Sequence, residues 1–159
     1  MNNRPDTIRA ILDAHPDAFV VFSNGLTSRE AAYFHRENRC IYLLHAMGEA
    51  LAVGVGLSQA CSSLEIVVIE GDGNALMGLA AWSLMPVPNL YYYVLDNGSY
   101  ETTGGQKLPS LPVIPSWCKL MPVLPGKAAA TPTPPLPDEI WNACQQWLRN
   151  HRYLEEPAK

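Results

Sequence analysis

Two short segments of this 159-residue chain carry the residue types that bind a divalent cation. Residues 70–74 (EGDGN) and 95–100 (LDNGSY) each lie at the end of an apolar run of strand length. A carboxylate from one segment, an amide oxygen from the other and a nearby backbone carbonyl would form the hard-oxygen set that Mg²⁺ takes, completed by water and phosphate oxygens. Asp-Gly and Asn-Gly are also ordinary turn dipeptides. Their joint position after two successive strands favours the metal-binding interpretation.

The distribution of charge restricts how this region could hold an anion. Between Cys40 and Gln106 the chain contains no Lys or Arg, but it contains six acids. A diphosphate bound there must therefore be neutralised by a metal ion and by backbone N–H groups, such as those of a helix beginning near Asn74, whose free N–H end carries about half a positive charge. The net charge of −4 argues against binding to nucleic acid.

Alternating helical and strand-like patterns predict how the two segments are positioned. Strands alternating with helices are typical of an α/β fold, here a doubly wound, mostly parallel sheet with helices on both faces, which binds ligands beyond the carboxyl ends of its strands. Within one predicted helix, Gly54 and Gly56 would cost stability unless close packing requires them. The predicted helices are 6–14, 27–36, 47–61 and 74–85, and the predicted strands are 18–22, 40–44, 65–69 and 90–95.

The last third of the chain has a different composition, although the length of 1–159 fits one domain. Nine of the fourteen prolines fall between Pro109 and Pro137, so residues 107–137 are predicted to be an extended connection. Within it, residues 119–124 are a candidate edge strand, because Pro122 has no N–H to donate to a neighbouring strand. Apolar residues at helical spacing predict a final helix over 138–152.

The four cysteines indicate a reducing compartment. Cys40, Cys61, Cys118 and Cys144 are widely spaced and form no Cys-x-x-Cys pair, which argues against a zinc ribbon or a dithiol redox site. Reduced thiols, a polar first segment without a signal-peptide pattern and no apolar stretch of membrane-spanning length predict a cytoplasmic protein. No Gly-x-Gly-x-x-Gly follows the first predicted strand, which disfavours an NAD-binding domain.

The two opening segments together resemble a known cofactor motif. Gly71-Asp72-Gly73, followed after 22 residues by Asp96-Asn97, is similar to the diphosphate and metal motif of thiamine-diphosphate-dependent enzymes. The separation is a few residues shorter than is usual in that family, which suggests a trimmed helix or turn. The domain also looks shortened at its C-terminal side, because little chain separates Gln106 from the candidate edge strand. The resemblance implies the thiamine-diphosphate-binding fold.

Three further stretches resemble a narrower group, the sulfopyruvate and phosphonopyruvate decarboxylases. Residues 45–48 (HAMG) resemble its Ser-Met-Gly loop, residues 24–30 (NGLTSRE) its Gly-x-x-Ser-Arg/Lys-Glu loop, and residues 97–106 (NGSYETTGGQ) its run ending in Thr-Gly-Gly-Gln. The resemblance covers roughly residues 18–106. It implies a subunit of a thiamine-diphosphate- and Mg²⁺-dependent 2-oxo acid decarboxylase.

The resemblance also implies roles for individual residues. Asp72, the Asn97 side chain and the Ser99 backbone carbonyl would bind Mg²⁺. Met47 would hold the cofactor in its bent shape, and the His45 carbonyl would accept a hydrogen bond from the cofactor's amino group, which is a positional effect on the reacting carbon. The implied cofactor-binding residues are His45, Ala46, Met47, Gly71, Asp72, Gly73, Asn74, Ala75, Asn97, Gly98, Ser99 and Tyr100.

His45 and Glu49 depart from the family pattern and allow two interpretations. Together with Met47 they are candidate catalytic residues, because either side chain could relay protons near the cofactor. Alternatively, Glu49 only complements the positive end of a helix. Tyr100 and Glu101 present the same choice, since a residue beside the metal segment either reaches substrate or simply packs.

Only the diphosphate-binding half of such enzymes is matched. The glutamate that activates the aminopyrimidine belongs to the other half, so we expect a complementary subunit carrying a pyrimidine-binding domain, in a hetero-oligomer with at least two copies of each chain. The low content of charged residues, 16%, fits a partly covered surface. A small 2-oxo acid is the expected substrate, and an anionic tail on it would need cations from the partner.

Two other functions share the same motifs. A carboligase of the acyloin or acetolactate type would use every one of these cofactor residues and differ only in what captures the intermediate. A non-catalytic homologue would keep the binding surface alone. Analysis of the products separates the first from a decarboxylase, and failure to bind the cofactor with the partner present would favour the second.

Overall fold

A five-stranded parallel sheet forms the centre of the computed structural model, which describes residues 2–126 and 131–154. The strand order is β2-β1-β3-β4-β7, and β5 and β6 form a separate antiparallel hairpin. The strands are β1 (Phe19–Phe22), β2 (Cys40–Tyr42), β3 (Ile66–Gly71), β4 (Leu90–Asp96), β5 (Ser99–Tyr100), β6 (Gln106–Lys107) and β7 (Cys118–Pro122). The helices are α1 (Arg4–Ala14), α2 (Leu26–Phe34), α3 (Ala50–Ala60), α4 (Asp72–Met77) and α5 (Pro137–Asn150), with 3₁₀ helices at Leu79–Leu84 and Glu101–Thr103.

Helices cover both faces of the sheet, as two adjacent residues of β4 demonstrate. The ring of Tyr92 contacts Trp82, which lies in the 3₁₀ helix that follows α4. The next residue, Tyr93, points to the opposite face, where its hydroxyl is 2.8 Å from Nε2 of His15 at the end of α1. Neighbouring residues of a strand alternate between faces. The prediction of a doubly wound parallel sheet is therefore confirmed.

The central strands are apolar on both faces because both faces are covered. Every residue of β1 is buried, and so are Ile66, Val67, Val68 and Ile69 of β3. Near-continuous runs of Val and Ile are typical of buried parallel strands. The edge strand β2 adds Tyr42, whose ring stacks on Phe22 at a centroid distance of 5.4 Å. This rigid centre fixes where the loops at the carboxyl ends of the strands emerge.

The helix predicted over 47–61 begins three residues later, at Ala50, so the stretch containing Met47 is a loop. Gly48 has φ +78°, a left-handed conformation that an α-helix does not tolerate. Gly54 lies against Val68, and a Cβ there would overlap the valine side chain, whereas a Cβ on Gly56 would meet nothing within 4 Å. Close packing therefore explains Gly54 and does not explain Gly56.

The helix predicted over 74–85 is wrong in its start and in its continuity. The α-helix begins at Asp72, directly after β3, and ends at Met77, after which the chain continues as a 3₁₀ helix. A Cβ on Gly78 would overlap the backbone of Gly48, so the α-helix ends at the point where the two backbone segments touch. This contact between distant segments of the sequence is the physical reason for the shorter helix.

The C-terminal region returns to the sheet. The strand predicted over 119–124 is β7, which pairs with β4 at one edge of the described sheet and ends at Pro122. Helix α5 packs on the sheet through Trp147, whose ring lies 5.8 Å from that of Phe19. Part of the proline-rich connection, residues 127–130, lies outside the described residues. All four cysteines are free thiols, and none of the described helices is long and apolar enough to cross a membrane.

Candidate functional site

A pocket lies where the strand order of the sheet reverses. From β1 the chain moves to β2 on one side, while β3 pairs with the other side of β1. The loops after these strands diverge and leave a crevice at the carboxyl edge, which is the usual ligand position in open α/β sheets. The pocket is lined by Arg4, Asn24, Gly25, Leu26, Thr27, Met47, Gly71, Asp72, Gly73, Asn74, Met77, Leu95, Asn97, Ser99, Tyr100, Glu101, Thr102 and Thr103.

Asp72 joins the two segments that the sequence singles out. Its Oδ2 accepts hydrogen bonds from the backbone N–H groups of Asn97 at 3.0 Å and Gly98 at 2.7 Å. Its Oδ1 accepts one from the N–H of Gly73 at 2.8 Å. The carboxylate therefore holds the segment after β4 against the start of α4. The N–H groups of Gly73 and Gly98, two of the implied cofactor-binding residues, both donate to Asp72 in this structure.

The Asp72 carboxylate is poorly hydrated. The residue is only 3% exposed, and this burial raises the pKa of its carboxyl group to about 6, although the three backbone hydrogen bonds act in the opposite direction. An ionised carboxylate has about four acceptor sites, so a ligand can still approach Oδ1. A divalent cation at this point would replace the lost hydration of the charge, and the donor chemistry fits a magnesium ion.

Asn97 has its side chain held at both ends. Its Oδ1 accepts from the N–H of Ser99 at 2.8 Å and from the Ser99 hydroxyl at 3.0 Å. Its Nδ2 donates to Oε2 of Glu101 at 2.7 Å. The hydroxyl of Ser99 can rotate away, which would leave a lone pair of the amide oxygen for a metal. The side chains of Asp72 and Asn97 thus belong to one connected loop structure.

Glu70 has no part in the pocket, although it stands two residues before Asp72. It is fully buried, and one oxygen, Oε2, accepts a 2.8 Å hydrogen bond from the hydroxyl of Tyr92. Burial raises the pKa of this carboxyl group to about 7. Of the two acids in the 70–74 segment, only Asp72 serves the candidate site.

Arg4 is a pocket residue that sequence reasoning missed. It is 4% exposed, lies in the first turn of α1, and forms ion pairs with Glu30 at 2.9 Å and with Glu101. Its two partners stand 26 and 97 residues away along the chain. No local motif could have revealed that contact. Because both carboxylates already neutralise it, Arg4 offers no free positive charge to an anion in the pocket.

The glycines at the pocket allow close approach between elements. A Cβ on Gly73 would lie 2.8 Å from Cδ1 of Tyr100, so only glycine leaves room for that ring. Asn74 fastens the loop containing Met47, because its Oδ1 accepts a 3.1 Å hydrogen bond from the N–H of Gly48. The Nδ2 of Asn74 lies 3.4 Å from the carbonyl of Asn24, at the end of β1.

The sequence-predicted residues divide into two groups. Eight of them line the pocket, namely Met47, Gly71, Asp72, Gly73, Asn74, Asn97, Ser99 and Tyr100. The remaining five, His45, Ala46, Glu49, Ala75 and Gly98, are not among its lining residues. His45 and Glu49 are exposed, and His45 has the left-handed φ of +57°. Met47 is 57% exposed at the pocket rim.

Two oxygen acceptors at the pocket are buried and unpaired among the described residues. They are Oδ1 of Asn24 and Oε1 of Glu101. A buried polar atom that lacks a partner costs free energy, about 1–3 kcal/mol for an unmade hydrogen bond. Both atoms are acceptors in a pocket that also holds Asp72. The pocket therefore favours a ligand that brings a cation or hydrogen-bond donors.

The chain matches one protein family over most of the site. Residues 23–119 match the family described as thiamine pyrophosphate enzyme, C-terminal TPP binding domain. This range begins at the end of β1 and ends within β7. It contains every pocket residue except Arg4.

Two curated relatives and one solved structure extend this result. The chain is 36% identical over 108 residues to sulfopyruvate decarboxylase subunit beta of Methanocaldococcus jannaschii, covering 65% of this chain and 57% of that protein. It is 35% identical over 117 residues to phosphonopyruvate decarboxylase of Streptomyces hygroscopicus, covering 69% of this chain and 29% of that protein. The structure of 2-oxoglutarate:ferredoxin oxidoreductase from Magnetococcus marinus with 2-oxoglutarate, coenzyme A and succinyl-CoA bound has a TM-score of 0.52 at 30% identity, over 67% of this chain and 38% of that one. The chain therefore spans only part of the length of each relative.

Proposed function

The chain belongs to the thiamine pyrophosphate enzyme family, whose C-terminal TPP-binding domain it contains, and we propose that it is a subunit of a Mg²⁺-dependent 2-oxo acid decarboxylase. In this function the chain binds the diphosphate and the metal. A partner subunit supplies the glutamate that activates the cofactor. The contact that carries the proposal is the Asp72 carboxylate, which joins the start of α4 to the segment after β4 in one pocket.

The donor set supports Mg²⁺ as the ion. Asp72 and the Asn97 side chain would bind it, and the Ser99 backbone carbonyl would be the third protein ligand. One carboxylate with neutral oxygens leaves coordination positions for water and phosphate, which is how Mg²⁺ is usually held beside a phosphorylated ligand. The metal would also neutralise the diphosphate, which has no unpaired Lys or Arg among the described residues that line the pocket.

Positioning is the main contribution of this chain's residues to catalysis. Thiamine diphosphate, when bound, supplies an electron sink for the loss of CO₂ from a 2-oxo acid. Met47 stands at the pocket rim, where its apolar side chain would support the bent cofactor. Its loop is fixed to α4 by the hydrogen bond from the Gly48 N–H to Asn74. Holding the reacting groups in a productive geometry lowers the barrier to the reaction.

An exposed apolar rim supports the presence of a partner subunit. Met47 and Met77 both line the pocket and are 57% and 51% exposed. Large apolar side chains next to a site are typical of a surface that another chain covers. The named beta subunit among the relatives gives the same indication. We therefore place the complete active site between this chain and a pyrimidine-binding subunit.

The substrate we propose is a small 2-oxo acid with an anionic tail, such as sulfopyruvate or phosphonopyruvate. These are the acids in the names of the two curated relatives. Arg4 is already paired with two carboxylates, so the described residues that line this pocket offer no free cation to a sulfonate or phosphonate. The cationic contact to the tail therefore comes from the partner subunit.

Release of CO₂ by the reconstituted pair of subunits tests the proposal. The chain and the protein encoded beside it are mixed with thiamine diphosphate, Mg²⁺ and sulfopyruvate or phosphonopyruvate. We expect CO₂ and the corresponding aldehyde from the mixture and from neither subunit alone. Full activity of this chain alone would contradict the division of the active site, and an acyloin product would identify a carboligase instead.

A further inference from the structure

We propose that Arg4 and Glu101 are positioning residues for the metal site, where they hold the Asn97 amide with its oxygen toward the cation. This inference rests on the proposed function, because it concerns the same metal. Neither residue has to touch the metal or the substrate. Their effect would pass through Asn97, whose side chain is the amide ligand of the donor set.

The direction of the Asn97 amide is determined by what Glu101 can accept. An ionised carboxylate only accepts hydrogen bonds, and the amide group presents an oxygen at one end and an N–H₂ at the other. The Oε2 atom of Glu101 lies 2.7 Å from Asn97, so the nitrogen end must face it. The oxygen end then faces the opposite way, toward Ser99. A flipped amide would set two acceptors against each other.

Arg4 holds the carboxylate of Glu101 in place beside Asn97. The same Oε2 that accepts from Asn97 also accepts from Nη2 of Arg4. The guanidinium is anchored on its other side by Glu30, at 2.9 Å, and is almost completely buried. Removing one partner of a buried ion pair leaves an uncompensated charge, which is strongly unfavourable. Without Arg4, two buried carboxylates would face each other with no cation between them.

The charge balance of this cluster also favours a cation at the pocket. Arg4 contributes one positive charge, and Glu30 and Glu101 contribute two negative charges, so the three groups carry a net charge of −1. Asp72 adds a further negative charge in the same pocket when ionised. The excess attracts a divalent cation and repels a diphosphate that arrives without one. Cofactor binding is therefore expected to require the metal.

Separate affinities for metal and cofactor distinguish positioning from a merely structural role. The chain in complex with its partner subunit is titrated with Mg²⁺ at fixed thiamine diphosphate, and with thiamine diphosphate at saturating Mg²⁺, by calorimetry. Arg4→Met makes the net charge of the cluster more negative by one unit and Glu101→Met makes it less negative by one unit, so electrostatics alone would change the Mg²⁺ affinity in opposite directions. Loss of positioning predicts instead that the Mg²⁺ affinity falls about 10- to 100-fold in both variants, as is usual when a group that orients a metal ligand is lost. The affinity for thiamine diphosphate at saturating Mg²⁺ should stay close to that of the wild type, because neither Arg4 nor Glu101 is among the residues proposed to contact the diphosphate.

The chain offers a matched control on the same helix. Arg9 also lies in α1 and pairs with Asp13, but that pair is exposed, so Arg9→Met should leave both affinities unchanged. Arg4→Lys should recover part of the Mg²⁺ affinity, because an ammonium group restores the charge without the planar fork. The Mn²⁺ paramagnetic resonance signal of bound metal gives a second readout that does not depend on turnover.

Each outcome of the titrations decides the inference. Wild-type Mg²⁺ affinity in both Arg4→Met and Glu101→Met would overturn the positioning role and leave the proposed function standing. If Arg4→Met does not fold, Glu101→Met decides alone, because in that variant Arg4 keeps its pair with Glu30. If the wild-type complex binds no thiamine diphosphate with Mg²⁺, the proposed function fails and the inference fails with it.

Discussion

The backbone N–H of Gly98 donates a 2.7 Å hydrogen bond to Oδ2 of Asp72, 26 residues earlier in the chain. This bond joins the segment after β4 to the first residue of α4. It holds the two oxygen-bearing segments against each other. Because these segments are already held together by the protein's own hydrogen bonds, less conformational entropy is lost when a ligand binds.

Replacement of Asp72 should destabilise the chain even without ligands. Asp72→Ala leaves three backbone N–H groups, those of Gly73, Asn97 and Gly98, without their acceptor. We expect the free energy of unfolding in urea to fall by about 1–3 kcal/mol. Asp96→Ala is the matched control, because Gly98 keeps its bond to Asp72 there, and its effect should be within about 0.5 kcal/mol. Equal losses in the two variants would contradict the structural role of Asp72.

Gly73 and Tyr100 should behave as a coupled pair. In Gly73→Ala the new Cβ would lie 2.8 Å from Cδ1 of the Tyr100 ring, so the ring must move out of the pocket wall. We expect a loss of about 1–3 kcal/mol in unfolding free energy, typical of overpacking. The double variant Gly73→Ala with Tyr100→Ala should recover part of that loss, giving a coupling of at least about 0.5 kcal/mol. Strictly additive effects would show that the two residues do not meet.

The two glycines of α3 should respond in opposite directions. Gly54→Ala inserts a methyl group into Val68 on β3, so we expect a loss of about 1–3 kcal/mol in unfolding free energy. Gly56→Ala meets no atom within 4 Å, and its better helix propensity should stabilise the chain by about 0.5–1 kcal/mol. Thermal unfolding of both variants measures this difference directly. Stabilisation by both substitutions would show that α3 does not pack closely on β3.

The sequence allowed prediction of those features of the site that depend on local patterns. Asp72 and Asn97 follow successive buried strands, and parallel strands bring their carboxyl ends to one edge, so their meeting could be expected. Arg4 could not be found in this way, because its partners are 26 and 97 residues distant. The end of helix α4 at Met77 could not be predicted from the sequence either, because it depends on the backbone contact between Gly48 and Gly78.

The predicted catalytic loop shows the same limit of local reasoning. Met47, His45 and Glu49 are neighbours in sequence, yet only Met47 lines the pocket. The left-handed conformations of His45 and Gly48 turn the loop before α3, and a periodic pattern of apolar residues carries no information about them. The roles of His45 and Glu49 stay predictions.

Met47 should matter for turnover and little for stability. Its side chain is exposed, so Met47→Ala should leave the thermal unfolding midpoint of the free chain nearly unchanged. If Met47 supports the bent cofactor, decarboxylation by the complete complex should fall at least about tenfold, since small misplacements of reacting groups are costly. Met77→Ala is the matched control at the same rim. An equal loss in the control would indicate a general effect of the apolar rim on subunit association.

Calorimetric titration of thiamine diphosphate into this chain, with and without Mg²⁺ and with and without its partner subunit, tests the proposed cofactor site most directly. We expect binding only with Mg²⁺, and the strongest binding with the partner present. Asp72→Ala and Asn97→Ala should each abolish it, because every variant removes one metal ligand and the paired Arg4 cannot take over the neutralisation. Metal-independent binding, or wild-type affinity in both variants, would contradict the assignment of these residues to a Mg²⁺ and diphosphate site.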